Sequence, residues 1–461
     1  MSPFAEVLLD NAGRILSELL SGGGEFGELF YERSVSTRLK LEDRKLDELT
    51  FGHDEGVGLR LIKDGRTYYG YTARLTLESV LELARELARG NASAPVAVGK
   101  RHFEGRIPAE LDPESCSLSY RAELLRRAEE TARSLGPQVK QVLSVLADKS
   151  REILVVNSLG ESAHDLQKRV VFFTEVVASD GKLLQRGYES TGGTGGFELI
   201  ADKVEEVARK AAKRALLGLK ARPAPAGSFT VVLASEAGGT MIHEAVGHGL
   251  EADLVQQGLS VYADKLGRKV ASELVTVVDD ATVPRANGSF NVDDEGVPAE
   301  RTVLIKDGVL VNYMYDRLRA ERDRVASTGN GRRQSYAHVP MVRMTNTFIE
   351  RGETEPEEII ADTKKGVLVV KMGGGEVNTV TGDFVFEVME GYLIEGGKVT
   401  YPIRGAVLLG NGPEALKRVD AVGKDLGWSV GTCGKEGQGV PVGDAQPTVR
   451  IHGLTLGGAE L

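Results

Sequence analysis

Three things are scarce in this 461-residue chain: cysteine, histidine and long apolar runs. The two cysteines, Cys116 and Cys433, lie far apart, so no disulfide framework is expected and a reducing compartment fits. No apolar stretch approaches the eighteen or so residues of a membrane-spanning helix. Positive charge is also short. Against 67 acidic residues stand 57 lysines and arginines, and the net charge of -10 argues against nucleic acid or an anionic membrane surface as a partner. The first residues carry no basic leader segment. Instead Phe4, Val7, Leu8, Ala12, Ile15 and Leu19 recur at helical spacing and predict an amphipathic helix. A soluble, cytoplasmic protein is expected. With seven histidines in all, any two that fall close together carry weight.

Glycine is abundant at 56 residues, beside an ordinary 41% of hydrophobic and 27% of charged residues. That much glycine favours turns and strands. The length exceeds what one core usually supports, so two domains are expected. In the first part, strands are predicted at 29–41, 57–63 and 67–72, with Asp64 and Gly65 at a hairpin turn. Helices are predicted at 77–88 and 118–135, and residues 90–113 read as irregular. Strands follow at 138–149, 151–158 and 170–179, the last turning at 179–182. Residues 191–196 read as a glycine turn, lacking the lysine of a phosphate-binding loop. A helix at 200–219 runs into the Pro- and Ala-rich segment 220–228, the best linker, which separates 1–220 from 229–461. The second part is predominantly antiparallel β, with strands predicted at 229–234, 274–279, 302–306, 309–315, 366–371, 383–389 and 391–395.

After its first strand the second part carries MIHEAVGHGLEAD at 241–253. In zinc peptidases imidazoles bind the metal and an adjacent carboxylate takes a proton from water. The familiar signature spaces its histidines four apart, on one helical face. Here His243 and His248 are five apart, with Glu244 directly after the first. On a regular helix, residues five apart point about 140° from one another, so one metal reaches both only if the helix bulges or ends between them. Gly247 and Gly249 flank His248 and permit such a departure. The other reading is a buried helix whose histidines bond to backbone carbonyls. A catalytic zinc site also needs a third protein ligand. Cys433, in the glycine-flanked loop VGTCGKEGQG, is one candidate, and Lys435 beside it would help hold a thiolate. Taken alone, Cys433 reads as a small buried hydrophobe, as does Cys116 beside Pro113.

The 243–253 stretch does not stand alone. GNGRRQSY at 329–336, CGKEGQ at 433–438, DDEG at 293–296 and MGGGE at 372–376 accompany it, and together they resemble the TldD/PmbA family over nearly the whole chain. The resemblance implies an α+β protein. Its N-terminal α/β domain would be followed by a β-rich, largely antiparallel, barrel-like domain that carries the metal-binding helix. It further implies a zinc metallopeptidase acting on unfolded or short peptides with low sequence specificity, the peptide lying as an added strand. One Zn2+ per chain would be held by His243, His248 and Cys433, with Glu244 as the base. The assembly implied is a dimer, either with a metal-free PmbA-like (TldE-like) paralogue or with a second copy.

In that scheme Glu244 takes a proton from an activated water and returns it to the leaving amine. The developing oxyanion needs a donor, for which Tyr336 and His338, in SYAHVP, are candidates against a structural tyrosine and a surface histidine. Arg332 and Arg333 either hold the C-terminal carboxylate of a peptide or pair with acidic neighbours. Glu251 and Asp253 either stand behind the histidines or form an exposed acidic helix end. Two readings from other classes are a thiol hydrolase, with Cys433 as nucleophile and His243 or His248 as base, and a metal-stabilised scaffold that binds peptide or partner without cutting.

Overall fold

The computed structural model describes residues 1–88 and 101–458. The first part runs α1 (Pro3–Leu19), β1 (Phe26–Glu42), β2 (Lys45–Lys63), β3 (Arg66–Thr72), α2 (Leu77–Ala88), β4 (Arg101–Arg106), α3 (Leu118–Ser134), β5 (Val139–Asn157), β6 (Glu161–Ser179), β7 (Leu184–Thr194) and α4 (Val204–Lys220). The strands form one sheet in the order β3-β2-β1-β5-β6-β4, with β7 also on β6. All pairings are antiparallel except β4 with β6.

Two periodicities build this part. In α1, Ala5, Leu8, Ala12, Ile15, Leu16 and Leu19 recur on one helical face and are buried, while Pro3 opens the helix where no backbone donor is lost. Along β1, Leu29, Tyr31, Leu39 and Leu41 share one face and pack under the helices, α1 and α2 over one end and α3 and α4 over the other. The opposite face carries Glu28, Phe30 and Glu32. It too is buried, because the second part of the chain covers it: Phe30, Ile153 and Val155 meet Val292 and Tyr336 there. Around them runs a charge network. Arg60 bonds Glu28 at 2.9 Å and Glu295 at 2.5 Å, Arg333 bonds Glu28 at 2.5 Å, and Arg151 bonds Asp294 at 2.7 Å.

The second part contributes β8 (Gly227–Leu233), β9 (Val277–Asp280), β10 (Arg301–Lys306), β11 (Asn346–Ile349), β12 (Lys365–Val377), β13 (Asp383–Glu395), β14 (Lys398–Arg404), β15 (Ala406–Asn411), β16 (Gly427–Lys435), β17 (Gln438–Gln446) and β18 (Val449–Gly457). Five of them close on themselves in the order β12-β8-β18-β15-β13 and back to β12, giving the barrel. Val231, Leu233, Val367, Phe384, Phe386, Leu408 and Ile451 fill its core. A second sheet runs from the two-residue strand Val309–Leu310 through β10, β9, β11 and β17 to β16. No helix among the described residues is long and apolar enough to cross a membrane.

Several expected elements differ. The strands expected at 138–149 and 151–158 are the single strand β5, because Lys149, Ser150 and Arg151 stay in register with β1 and β6. Part of the stretch expected to be irregular forms β4, and residues 89–100 lie outside the described residues. The expected glycine turn at 191–196 is largely the end of β7, where Gly192 and Gly193 run extended beside Val171 and Val170. The strand expected at 309–315 is only Val309–Leu310, and those expected at 383–389 and 391–395 are one, β13. The Cys433 segment is not a loop. It is β16, paired with β17 so that Cys433 lies opposite Val440.

Candidate metal centre

After β8, Gly238 and Gly239 take left-handed conformations with φ of 86° and 75°. At Gly239 a Cβ would sit 2.5 Å from the Ala445 backbone nitrogen, so only glycine lets the next helix start against β17. That helix runs Thr240–Ile242, widens into a π turn at His243–Gly247 and tightens at His248–Leu250. The His248 N–H donates to the His243 carbonyl, the five-residue bond that defines the π turn. Met241, Ile242, Ala245, Val246 and Leu250 bury into the barrel core and fix the roll of the helix. Gly247 has ordinary helical angles, so it matters for space rather than for backbone freedom: a Cβ there would lie 2.0 Å from Met344 Sδ.

The widened turn brings His243 and His248 to one place, with ring centroids 5.1 Å apart and planes at 90°. Cys433 reaches them from β16, its Sγ 3.5 Å from His248 Nε2. One donor atom from each of the three lies within 4.8 Å of the other two. Carboxylates behind the rings set their orientation. Asp444 Oδ1 on β17 is 2.7 Å from His243 Nδ1, and Glu251 Oε2 is 3.0 Å from His248 Nδ1. Engaging Nδ1 leaves Nε2 for the cluster in both rings.

The electrostatics suit a thiolate and two basic imidazoles. Burial raises the Cys433 thiol, but hydrogen bonds from His243 and His248 outweigh it and hold the group at about 5. Burial lowers His248, and Glu251 and Cys433 overcome this to bring it to about 10. His243 is likewise raised against its burial by Asp444 and Cys433. Glu251 is buried, yet Lys435 and His248 hold it at about 2. Glu244 is pushed upward, chiefly by burial. Its Oε2 stands 4.0 Å from His248 Nε2, and with His243 it lines a cavity of about 770 Å3. Two imidazoles, a thiolate and an open side are the donor set of a catalytic zinc site, so the residues fit that metal.

The other expected residues are not brought to the cluster, and none lines this cavity. Tyr336 donates to Asp54 at 2.9 Å and its ring meets Tyr71 on the N-terminal sheet. His338 Nδ1 lies 2.9 Å from Ser335 Oγ. Arg333 is buried over the Phe30 ring, bonded to Glu28 and to the Asp294 carbonyl. Lys435 pairs with carboxylates instead, bonding Glu251 at 3.0 Å and Asp253 at 2.7 Å. Sequence reasoning missed Asp444, and no spacing could have found it 201 residues from His243. It also missed Arg343, whose guanidinium binds the Cys433 carbonyl and holds that strand.

Fold and site together define a candidate metal centre on a π-widened helix packed against a β barrel. Three family descriptions match in sequence order: PmbA/TldA metallopeptidase domain 1 over residues 27–90, the central domain over 111–219 and the C-terminal domain over 226–458. A metalloprotease TldD homologue of Haemophilus influenzae is 38% identical over 448 residues, covering 94% of this chain and 93% of its own. A metalloprotease of Methanocaldococcus jannaschii is 37% identical over 437 residues, covering 93% and 96%. The chain belongs to the TldD/PmbA metallopeptidase family. Its fold matches TldE from Thermococcus kodakarensis with a TM-score of 0.77 at 21% identity, over 97% of this chain and 99% of that one. A Thermotoga maritima chain, crystallised as a candidate modulator of a DNA gyrase, gives a TM-score of 0.82 at 22% identity over 97% and 99%.

Proposed function

We propose that the protein is a zinc-dependent peptidase that hydrolyses short or unfolded peptides with low sequence specificity. The observation that carries this reading is the convergence of His243, His248 and Cys433 donors within 4.8 Å, beside a carboxylate that lines a large cavity. His243 Nε2, His248 Nε2 and Cys433 Sγ would hold one Zn2+. Bound there, zinc supplies Lewis acidity, lowering the pKa of a water and polarising a peptide carbonyl. Glu244 accepts the water proton on its carboxylate and delivers it to the leaving amine nitrogen. Asp444 and Glu251 keep the two imidazoles in the Nε2-free tautomer. Low specificity follows if the peptide is held through its backbone as an added strand. The working unit proposed is a dimer, with a metal-free TldE-like paralogue or with a second copy.

One observation favours a second reading. The low Cys433 thiol beside His248 Nε2 at 3.5 Å is also the arrangement of a Cys–His nucleophile. Metal content of wild type and Cys433→Ala, measured with peptide hydrolysis, separates the two. The peptidase reading requires about one zinc per chain, lost together with activity in Cys433→Ala and on chelation. Glu244→Gln must keep zinc and lose hydrolysis. Activity that survives chelation overturns the metal reading in favour of the thiol. Zinc without hydrolysis in any form leaves a binding scaffold.

A further inference from the structure

A second cavity, of about 590 Å3, lies between the buried face of the N-terminal sheet and the β16–β17 hairpin. It shares Tyr188, Val430, Gly431 and Thr432 with the cavity that holds His243 and Glu244. The two cavities therefore adjoin along one stretch of β16, ending next to Cys433.

Its lining is rich in cations, most of them already neutralised. Lys149 and Arg151 bond Glu32, Arg151 also bonds Asp294, and Arg333 bonds Glu28. Arg169 and Arg332 differ. Arg169 donates to the Asn287 and Ser289 carbonyls and to the Gln167 side-chain oxygen, at 2.9–3.0 Å. Arg332 is 4% exposed; it donates to the Met344 and Pro441 carbonyls and lies over Phe290. Among the described residues neither guanidinium makes an ion pair. The carboxylates lining the cavity are committed elsewhere. Asp148 pairs with Arg121, Asp294 accepts from Arg151 and the Arg333 N–H, and Asp293 accepts backbone N–H groups of Glu295, Val297 and Gly331.

Arg332 is buried and Arg169 partly buried, and hydrogen bonding to neutral oxygens alone is costly for them, because carbonyl dipoles do not replace a counter-charge in contact. Both are accordingly weakened as cations, Arg169 to about 9 and Arg332 to about 10: burial is the largest cause and neighbouring arginines add to it, while Asp294, with Asp165 near Arg169 and Asp279 near Arg332, offsets only part. An anion entering the cavity would relieve this. Val171, Phe173 and Val440 give the same cavity apolar walls, so the fitting anion carries an apolar group beside its charge. The last residue of a peptide has both.

We propose that this cavity binds the C-terminal carboxylate of a short peptide between Arg169 and Arg332, while a nearby peptide bond of the same chain reaches Glu244. The inference rests on the peptidase reading and deepens it: favoured substrates are short peptides with a free C-terminus, cut close to that end.

The test uses full-length, zinc-loaded protein and three peptides of one sequence: a free acid, its C-terminal amide, and an amide whose last residue is glutamate. The free acid should be cleaved with a kcat/KM about tenfold or more above the amide, the scale of a charge-assisted pair. Arg169→Gln and Arg332→Gln should bring the free acid down to the amide rate, and Arg332→Lys should restore part of the gap. The amide serves as the internal control, since a misfolded variant loses both substrates. Equal rates for free acid and amide in wild type overturn the proposal and leave the peptidase reading standing. A preference that both glutamine variants retain also overturns it. If only the glutamate amide matches the free acid, the carboxylate pocket stands with a side chain as its source. If nothing is cleaved, the peptidase reading fails, and calorimetry on Glu244→Gln decides the pocket: tighter binding of the free acid supports it, and equal binding overturns it.

Discussion

Gly247→Ala tests whether the π turn makes the five-residue spacing work. Gly247 has φ and ψ of -55°, ordinary helical values, so alanine meets no backbone penalty and gains about 1 kcal/mol of helix propensity. The conflict is purely steric. The new Cβ would lie 2.0 Å from Met344 Sδ and 3.1 Å from its Cε, and Met344 is fully buried. Overpacking of this kind costs about 1–3 kcal/mol. Relief requires either Met344 or the helix to move, and the next residue is His248, whose Nε2 is 3.5 Å from Cys433 Sγ. The expected result is about 1 kcal/mol net destabilisation in urea unfolding and a tenfold or greater loss of zinc affinity, read by competition with a chromophoric chelator. Met344→Ala alone leaves a cavity and costs about 2–5 kcal/mol. Because the added methyl would then fill that space, the double variant should be more stable than the sum of the single effects by about 1 kcal/mol or more. Additive effects, with zinc affinity unchanged in Gly247→Ala, would refute the steric account of the turn.

Other outcomes follow from the groups behind the site and from the charge networks. Asp444→Asn removes the charge 2.7 Å from His243 Nδ1 and should weaken zinc binding about 10- to 100-fold with little change in apo stability; full affinity would remove Asp444 from the site. Lys435→Met leaves Glu251 and Asp253 facing one another without their shared cation and should destabilise the fold by about 3–5 kcal/mol, which an unchanged melting temperature would contradict. Glu189 joins β7 to Lys371 at 2.9 Å and Arg214 at 2.6 Å, and although burial raises it, these cations hold it at about 2 against an ordinary 4.5. A depressed carboxylate stabilises the fold above its unfolded pKa and loses that contribution as pH falls toward the folded value. Stability should therefore drop between about pH 5 and pH 2, by up to about 3 kcal/mol from this group. Glu189→Gln should flatten the slope of the urea midpoint against pH in that window; an identical slope would exclude the group as the cause.

The readable and unreadable parts of the chain divide along a physical line. Local signals carried: the spacing of α1, the Asp64 and Gly65 turn, the stop of α3 before Gly136 and Pro137, and the H-E pair with its glycines all rest on neighbours within a few residues. What failed depended on distant pairing. Cys433 reads as a loop because glycines surround it, yet β17 supplies every backbone partner that makes the segment a strand. Lys149 and Arg151 read as a break in β5 because charge is scarce inside sheets; Lys149 stays 42% exposed, and the carboxylates of Glu32 and Asp294 make the burial of Arg151 tolerable.

The same fact explains why the N-terminal sheet conceals its purpose. The alternation Leu29, Phe30, Tyr31, Glu32 on β1, with Glu28 before it, reads as one apolar face and one face turned to water. In the fold both faces are covered, and the polar one is closed by a nearly complete set of ion pairs reaching Glu295, Asp294 and Arg333 in the second part of the chain. A buried charged interface of that kind is tolerated only where each charge finds its opposite. Arg60, Arg151 and Arg333 meet the condition; Arg169 and Arg332, which line the cavity beside the candidate metal site, make no ion pair among the described residues. A packing interface would not need two cations without an ion-pair partner, and replacing them with apolar residues would relieve the cost. Their presence in a cavity lined by Thr432, next to Cys433, is what an anionic substrate group would explain.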